Sequence, residues 1–432
     1  VTYKLKDFTY WQDGTQLTPS DIKFTWQCYT NPNIQKQQVE ELEGYQKITK
    51  IESPDDRTVK IYFSEKYADY NKLFRYILPK HGFVPRQLLP IDEKHPFNTK
   101  PIGSGPFKIV DWKEGNRLIL DSNPKYFGAK SHVDQIVYQY GEINKNVLAD
   151  FEKGKIHLIQ ATSTDNIAAL KSKNYTNKSI PLLDMEQLSL NTKSSFLSDV
   201  NVRRAVACSV NRDKITSKFD NLKSTLSDLH PNSFLYDSRV KDPFIYDQSK
   251  AMYLLGISGW KETGKGTRVN TDNKLLKLNL ITTNTPLHVE IVKDLSDNLK
   301  QIDVGLEVKY LSEDDIEKVV RSESAYDILL HQTKISTNGE DRLEKFGSMN
   351  IPPQGKNYSR YTTTALDTIL NSPSMINDVE AERSVSQNLK EEVPIVPLFM
   401  YVKNVAYASN LGNFRPNPLD GNTWNSTEWW LN

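Results

Sequence analysis

The sequence predicts an α/β protein whose first third is α+β with antiparallel pairing, and three observations carry the prediction. Between Leu275 and His331 the apolar spacing switches between a period of two and a helical period in the order β-α-β-α-β. Such an order implies parallel strands joined by right-handed helical crossovers. From Thr58 to Leu120 the alternating runs are short and separated by turn residues, as in antiparallel hairpins. The chain has 432 residues, more than one hydrophobic core usually serves at about 100 to 200 residues per domain, so two or three domains are expected.

Taken in order, Tyr3 to Tyr10 reads as a strand and Asp13-Gly14 as a turn. Thr18-Pro19-Ser20-Asp21 then joins an N-cap, a proline at the first helical position and an acidic N3, so a helix is expected from Pro19. Ile22, Thr25, Trp26 and Tyr29 form one stripe of it and Phe24 with Cys28 another. That predicts burial around much of the circumference and assigns Trp26 to the core. Val59, Ile61 and Phe63 alternate in a half-buried strand, and Phe107 to Trp112 with Leu118 to Leu120 predict a hairpin about Glu114-Gly115-Asn116. After Asp199, a helix cap, Val202, Ala205, Val206 and Ser209 recur at helical spacing.

In the alternating region, strands are expected at Leu276, Leu278 and Leu280, at Leu306, Val308 and Tyr310, and over Tyr326 to Leu330. Helices are expected through Val289, Val292, Leu295, Leu299 and Ile302, and over Asp314 to Arg321. Ligands of such sheets lie beyond the C-terminal ends of the strands, which directs attention to His331 through Asp341.

Composition excludes several functions. Lys and Arg number 55 against 54 Asp and Glu, with no long block of one sign, so nucleic acid is not an expected partner. Val393 to Val402 is the most apolar run; it is shorter than the roughly 18 residues a membrane span needs and holds two prolines. Cys28 and Cys208 are the only cysteines and are expected to be unpaired and buried as small hydrophobes. The seven histidines never stand three or four apart, which removes helical metal pairs, and no cofactor is expected.

Ile102-Gly103-Ser104-Gly105-Pro106 lacks the GK[ST] ending of a phosphate loop and leads into a strand. It suits a chain crossing between lobes. The acidic pairs Asp55-Asp56, Glu313-Asp314-Asp315, Glu340-Asp341 and Glu391-Glu392 read as solvated turns and helix starts. No GxSxG, HExxH or cysteine beside a base is present, so no enzyme is expected.

Three segments together resemble one family. TYKLKDFTYWQDGTQLTPSDIKFTW from Thr2, PIGSGPFKIVDWKEGNRLILDSNPKYFG from Pro101 and LSLNTKSSFLSDVNVRRAVACSVNRDKI from Leu188 are similar to stretches of the family-5 extracellular solute-binding proteins. These are the peptide-, dipeptide- and nickel-binding components of ABC importers. Weaker likenesses run through FEKGKIHLI, YDQSKAMYLLGISGW, NYSRYTTTALDTIL and VPIVPLFMYV, so the resemblance covers almost the whole chain.

The resemblance implies a type II periplasmic-binding-protein-like fold, two lobes with an extra α+β domain. Residues 1–98 resemble part of the extra domain, 99–198 and 404–432 the first lobe, and 199–403 the second. Because the chain opens at Val1 where the family has an earlier strand, an N-terminal segment is expected to precede it. The resemblance further implies a monomer that takes a small peptide-like ligand between its lobes and docks on a membrane permease. It also implies an extracytoplasmic location, either lipid-anchored or periplasmic. A surface receptor of the same fold that has lost transport is the alternative, and a hydrolase a third.

In peptide-binding members the segment after the strand at Tyr326 to Leu330 reads like GW..DY.(D/E)P, whose first aspartate holds the ligand's amino group. Aligned on Leu343, this sequence has HQTKISTNGEDRL: Gln332 replaces the tryptophan, Ile335 the aspartate, Asn338 the second acid and Gly339 the proline. The ligand-binding candidates are therefore Gln332, Thr333, Ile335, Ser336 and Asn338, together with Arg321 and Tyr358. A buried ammonium without a carboxylate loses several kcal/mol, so a peptide without a free amine, a sugar, a neutral or acidic ligand, or a peptide gripped by its backbone is expected. With the alignment displaced, Asp341 or Glu340 takes the aspartate's role. Arg321 either approaches the ligand or ends a helix in solvent, and Tyr358 and Tyr361 either line the cleft or cover the lobe.

Overall fold

The computed structural model describes residues 1–32, 42–67, 70–83, 97, 100–160, 165–166, 169–170, 174–236, 242–322, 326–337, 339, 341–372, 378–417 and 421–432. By contact the chain forms two units, one of Val1–His157 with Ala408–Pro416 and Asn422–Asn432, the other of Leu158–Tyr407 with Asn417–Gly421.

In the first unit β1 (Thr2–Lys4), β2 (Ile48–Glu52) and β3 (Thr58–Phe63) form an antiparallel sheet in the order β1-β3-β2. Helix α1 (Pro19–Tyr29) begins with the expected capping box between Thr18 and Asp21 and buries Ile22 among Tyr45, Ile48, Ile51, Val59 and Ile61. Trp26 is half-buried against this core, its Nε1 donating to Tyr45 O at 3.1 Å. The strand expected over Tyr3 to Tyr10 stops at Lys4, opposite Thr58 where β3 begins, and Phe8, at a left-handed φ of 59°, turns the chain away from an extended course. Tyr10 makes only an isolated bridge to Gln16. A second antiparallel sheet holds the expected hairpin, β4 (Phe107–Lys113) and β5 (Arg117–Ser122), with β6 (Gln135–Gln139) beside β5. Gly115 at its tip has φ 66°, the left-handed turn position that glycine occupies without strain. Helix α2 (Lys145–Glu152) follows, capped by Asn144.

The second unit is built on a seven-stranded mixed sheet. Its strands are β7 (Leu158–Gln160), β8 (Tyr175–Leu190), β9 (Leu222–Ser224), β10 (Lys277–Thr282), β11 (Gly305–Tyr310), β12 (Ile328–Lys334) and β13 (Ile395–Ala408). The order is β11-β10-β12-β8-β13-β7, with β9 also on β13. Parallel pairing holds for β10 with β11 and β12, as the β-α-β-α-β order predicts. It stops there, because β8 joins β12 antiparallel. Residues 158–198, read from the sequence with the preceding lobe, thus contribute β7 and β8 to this sheet.

One face of the sheet, carrying Leu188, Leu190, Leu278, Leu280, Ile328 and Leu330, packs on helices α3 (Val200–Cys208), α4 (Gln248–Ile257) and α5 (Pro286–Lys300). The expected Asp199 cap of α3 is present. On the other face Ile281 and Leu329 meet Val320 of α6 (Glu313–Arg321) together with Tyr326 and Tyr358. Two more helices, α7 (Arg342–Phe346) and α8 (Val379–Glu392), complete the part of this unit that bears on the site. Cys28 and Cys208 are buried and unpaired, and burial pushes each thiol up to about 11.

Candidate functional site

The C-terminal ends of the parallel strands fall at Thr282, Tyr310 and Lys334, the edge where α/β sheets bind ligands. The last of these differs from expectation: β12 begins two residues later than Tyr326 and continues four beyond Leu330. The long strand β8 supplies pairing partners past the point where the apolar pattern ends, with Gln332 opposite Glu186 and Thr333 opposite Met185. Gln332 and Thr333 therefore lie in the ladder and not beyond it. Gln332 is exposed and its Nε2 donates to Asp184 Oδ1 at 3.1 Å. Thr333 Oγ1 donates to Lys334 O at 3.3 Å.

Ile335 continues the pairing through its N–H to Leu183 O at 2.8 Å. Its side chain is 2% exposed and packs with Met185 and Met400. Ser336 donates to Asp341 Oδ1, and Asp341 Oδ2 lies 2.5 Å from Lys345 Nζ. These contacts hold the Asp341 carboxyl below its ordinary range in spite of its burial. Asn338 and Glu340 lie outside the described residues.

Arg321 and Tyr358 come together through a residue that the sequence did not single out. Glu317 accepts from Arg321 Nε at 3.3 Å on one oxygen and from the Tyr358 hydroxyl at 3.2 Å on the other. Arg321 Nη1 also donates to Pro353 O at 3.1 Å. The Tyr358 ring stands edge-on to His331, centroids 5.3 Å apart, while Tyr361 is buried with Phe346, Leu366 and Val385.

His331 is fixed by its neighbours. Nδ1 faces the Gln332 carbonyl at 3.1 Å and so carries the hydrogen; Nε2 then accepts from Ser189 Oγ at 2.9 Å and Gln187 Nε2 at 3.2 Å. Burial lowers this imidazole to about 4, leaving it neutral. The face shared by Gln187, Ser189, His331 and Tyr358 is thus polar and uncharged, with the Glu317–Arg321 pair at its side.

The opposite face of β8 carries a second network. The Tyr401 hydroxyl donates to Glu186 Oε1 at 2.7 Å, and Glu186 Oε2 lies 3.2 Å from His288 Nε2. His288 Nδ1 meets Thr282 and Thr283 Oγ1 at 2.8 Å each. A signal for it exists in the sequence. Glu186, Leu188 and Leu190 share one face at a period of two, so a carboxylate stands where the pattern demands an apolar side chain and needs buried partners. Among the described residues no group of three or more His, Cys, Asp or Glu is placed to hold a metal ion, and no helix is long and apolar enough to cross a membrane.

Residues 1–345 match the model described as bacterial extracellular solute-binding proteins, family 5 Middle. The chain is 26% identical to the oligopeptide-binding protein AppA of Bacillus subtilis over 99% of its own length and 80% of AppA. It is 23% identical to the periplasmic oligopeptide-binding protein OppA of Escherichia coli over 97% and 80%. Its fold is similar to that of HbpA2 from Haemophilus parasuis, with a TM-score of 0.82 at 17% identity, covering all of this chain and 87% of that one. With the family model spanning most of its length, the chain belongs to the bacterial extracellular solute-binding proteins of family 5.

Proposed function

We propose that the chain captures a peptide or peptide-like solute outside the cytoplasm, by hinge closure of its lobes, and delivers it to the permease of an ABC importer without acting on it chemically. The observation that carries this reading is the family match over residues 1–345, joined by relatives named for oligopeptide binding along 80% of their own lengths. Closure of such a binder is stabilised only by the solute's extra affinity for the closed state. An extra domain within residues 1–98, a monomeric state and a lipid-anchored or periplasmic location belong to the same proposal.

The chemistry of the end of β12 and of the residues just after it narrows the solute. Gln332, Thr333, Ile335 and Ser336 bring no carboxylate, and Asp341 is engaged by Ser336 and Lys345. Ile335 offers a free ammonium no carboxylate and Asp184 is already hydrogen-bonded to Gln332, so the reading favours a peptide with a blocked amine, a neutral or acidic solute, or a peptide held through its backbone. Native mass spectrometry of gently purified protein tests this: a co-purified blocked peptide or sugar is expected, and a stoichiometric peptide with a free amine contradicts it. The same departures favour a surface receptor as the second reading. Deleting the gene separates the two, since uptake of the solute is lost with an importer component and retained with a receptor.

A further inference from the structure

Gly339 and the start of α7 border a buried ionic cluster that the face described above does not use. Arg342, at the start of α7, is 1% exposed. Its Nη2 reaches both oxygens of Asp228 at 2.9 Å and Ser386 Oγ at 3.1 Å, and its Nη1 pairs with Glu382 Oε1. Glu382, on α8, is equally buried, and its Oε2 has no hydrogen-bond partner among the described residues. Lys345 and Asp341 form a neighbouring pair. Three carboxylates, Asp228, Asp341 and Glu382, thus share two cations, Arg342 and Lys345, in a place largely closed to water. One negative charge is left uncompensated when all are ionised, a costly arrangement that a single proton relieves.

Gly339 is fitted against the unpartnered oxygen. Gly339 has φ 74°, and a Cβ there would stand 3.0 Å from Glu382 Oε2. Its carbonyl accepts from Arg342 N at 3.1 Å. The charged groups that face Glu382 among the described residues are Arg342 of α7, Asp341 just before it and Asp228 of the loop after β9.

We propose that Glu382 is a positioning residue for Gly339 and the start of α7, and that loss of its proton loosens this turn, making the order of this part of the candidate face depend on pH. Burial, opposed by Arg342 and reinforced by Asp228 and Asp341, raises the carboxyl to about 7, so the change falls near neutrality. Weaker solute binding on the alkaline side follows if the turn touches solute, and that consequence alone rests on the proposed function.

Hydrogen exchange read by mass spectrometry on the solute-free protein, with rates corrected for the intrinsic effect of pH, tests the order directly. Opening of peptides covering residues 335–347 is expected to rise by up to about tenfold per pH unit as pH approaches the titration point from below, and to level off above it. In Glu382→Gln, which keeps an acceptor for Arg342, it is expected to stay level. Wild-type protection that does not change between pH 6 and 8 overturns the proposal. So does a variant that retains the wild-type pH dependence, as a merely structural role would leave it. If Glu382→Gln does not fold, carboxyl carbon NMR of the wild type decides: titration near 7 supports the proposal and titration near the ordinary glutamate value of 4.5 overturns it. A turn that loosens while solute affinity stays constant contradicts the solute reading and leaves this one standing.

Discussion

At Ile335 a position known from sequence likeness meets a side chain with different surroundings. The resemblance aligns it with an amine-holding aspartate, whereas here it is sealed between Met185 and Met400. Ile335→Asp is therefore expected to destabilise the second unit by about 2 to 5 kcal/mol through an unpaired buried charge. Ile335→Val is expected to cost only about 0.5 to 1.5 kcal/mol. Urea unfolding of both variants checks this, and an Asp variant of wild-type stability that gains affinity for ammonium ligands places the side chain against solute instead. Residue identity alone does not reveal such burial, because the Met185 and Met400 partners lie 150 and 65 positions away. Glu317 is illegible for a related reason. Its two partners, Arg321 and Tyr358, are candidates from sequence, but the carboxylate that joins them looks like any acidic residue on an exposed helix.

Elements whose determinants are local were legible in the sequence. The Thr18–Asp21 capping box, the Asp199 cap and the Gly115 turn each act within a few residues, and each element they bound was found where expected. Asp199 Oδ1 accepts from Asn201 N at 2.8 Å, one of the amides at a helix start that has no partner within the helix. Asp199→Ala is accordingly expected to lower the stability of the second unit by about 1 kcal/mol, and Asp199→Ser to restore most of that loss, as read from denaturant midpoints at constant slope. Where an element is set by a distant partner, legibility failed. His331 to Lys334 carries no apolar alternation, and only the facing run of β8 from Asp184 to Gln187 makes it a strand. The parallel order of β10, β11 and β12 was visible because each crossover is local, whereas the antiparallel joint to β8 spans about 140 positions and leaves no periodic trace.

At the scale of the whole second unit, two titrating groups on different elements bend stability in opposite directions with pH. Glu382 is raised from 4.5 to about 7, so between those values the folded state holds a proton that the unfolded chain has released. Its contribution is full below 4.5 and is lost as pH rises towards 7, by about 3 kcal/mol. His331 is lowered from 6.5 to about 4, so in that window the unfolded chain holds the extra proton. Its contribution is full above 6.5 and is lost as pH falls towards 4, again by about 3 kcal/mol. Between pH 4.5 and 6.5 the two slopes oppose each other, and the wild type is expected to be flatter than either single variant. His331→Gln is expected to leave a protein whose stability falls as pH rises, and Glu382→Gln one whose stability falls as pH drops. Groups common to the three proteins cancel when their urea unfolding curves are compared across this window. Variant slopes equal to that of the wild type mean that neither group titrates as its surroundings require; a shift in one variant alone identifies which of the two environments, the Ser189–Gln187 face or the Arg342 cluster, governs the acid and neutral response of the fold.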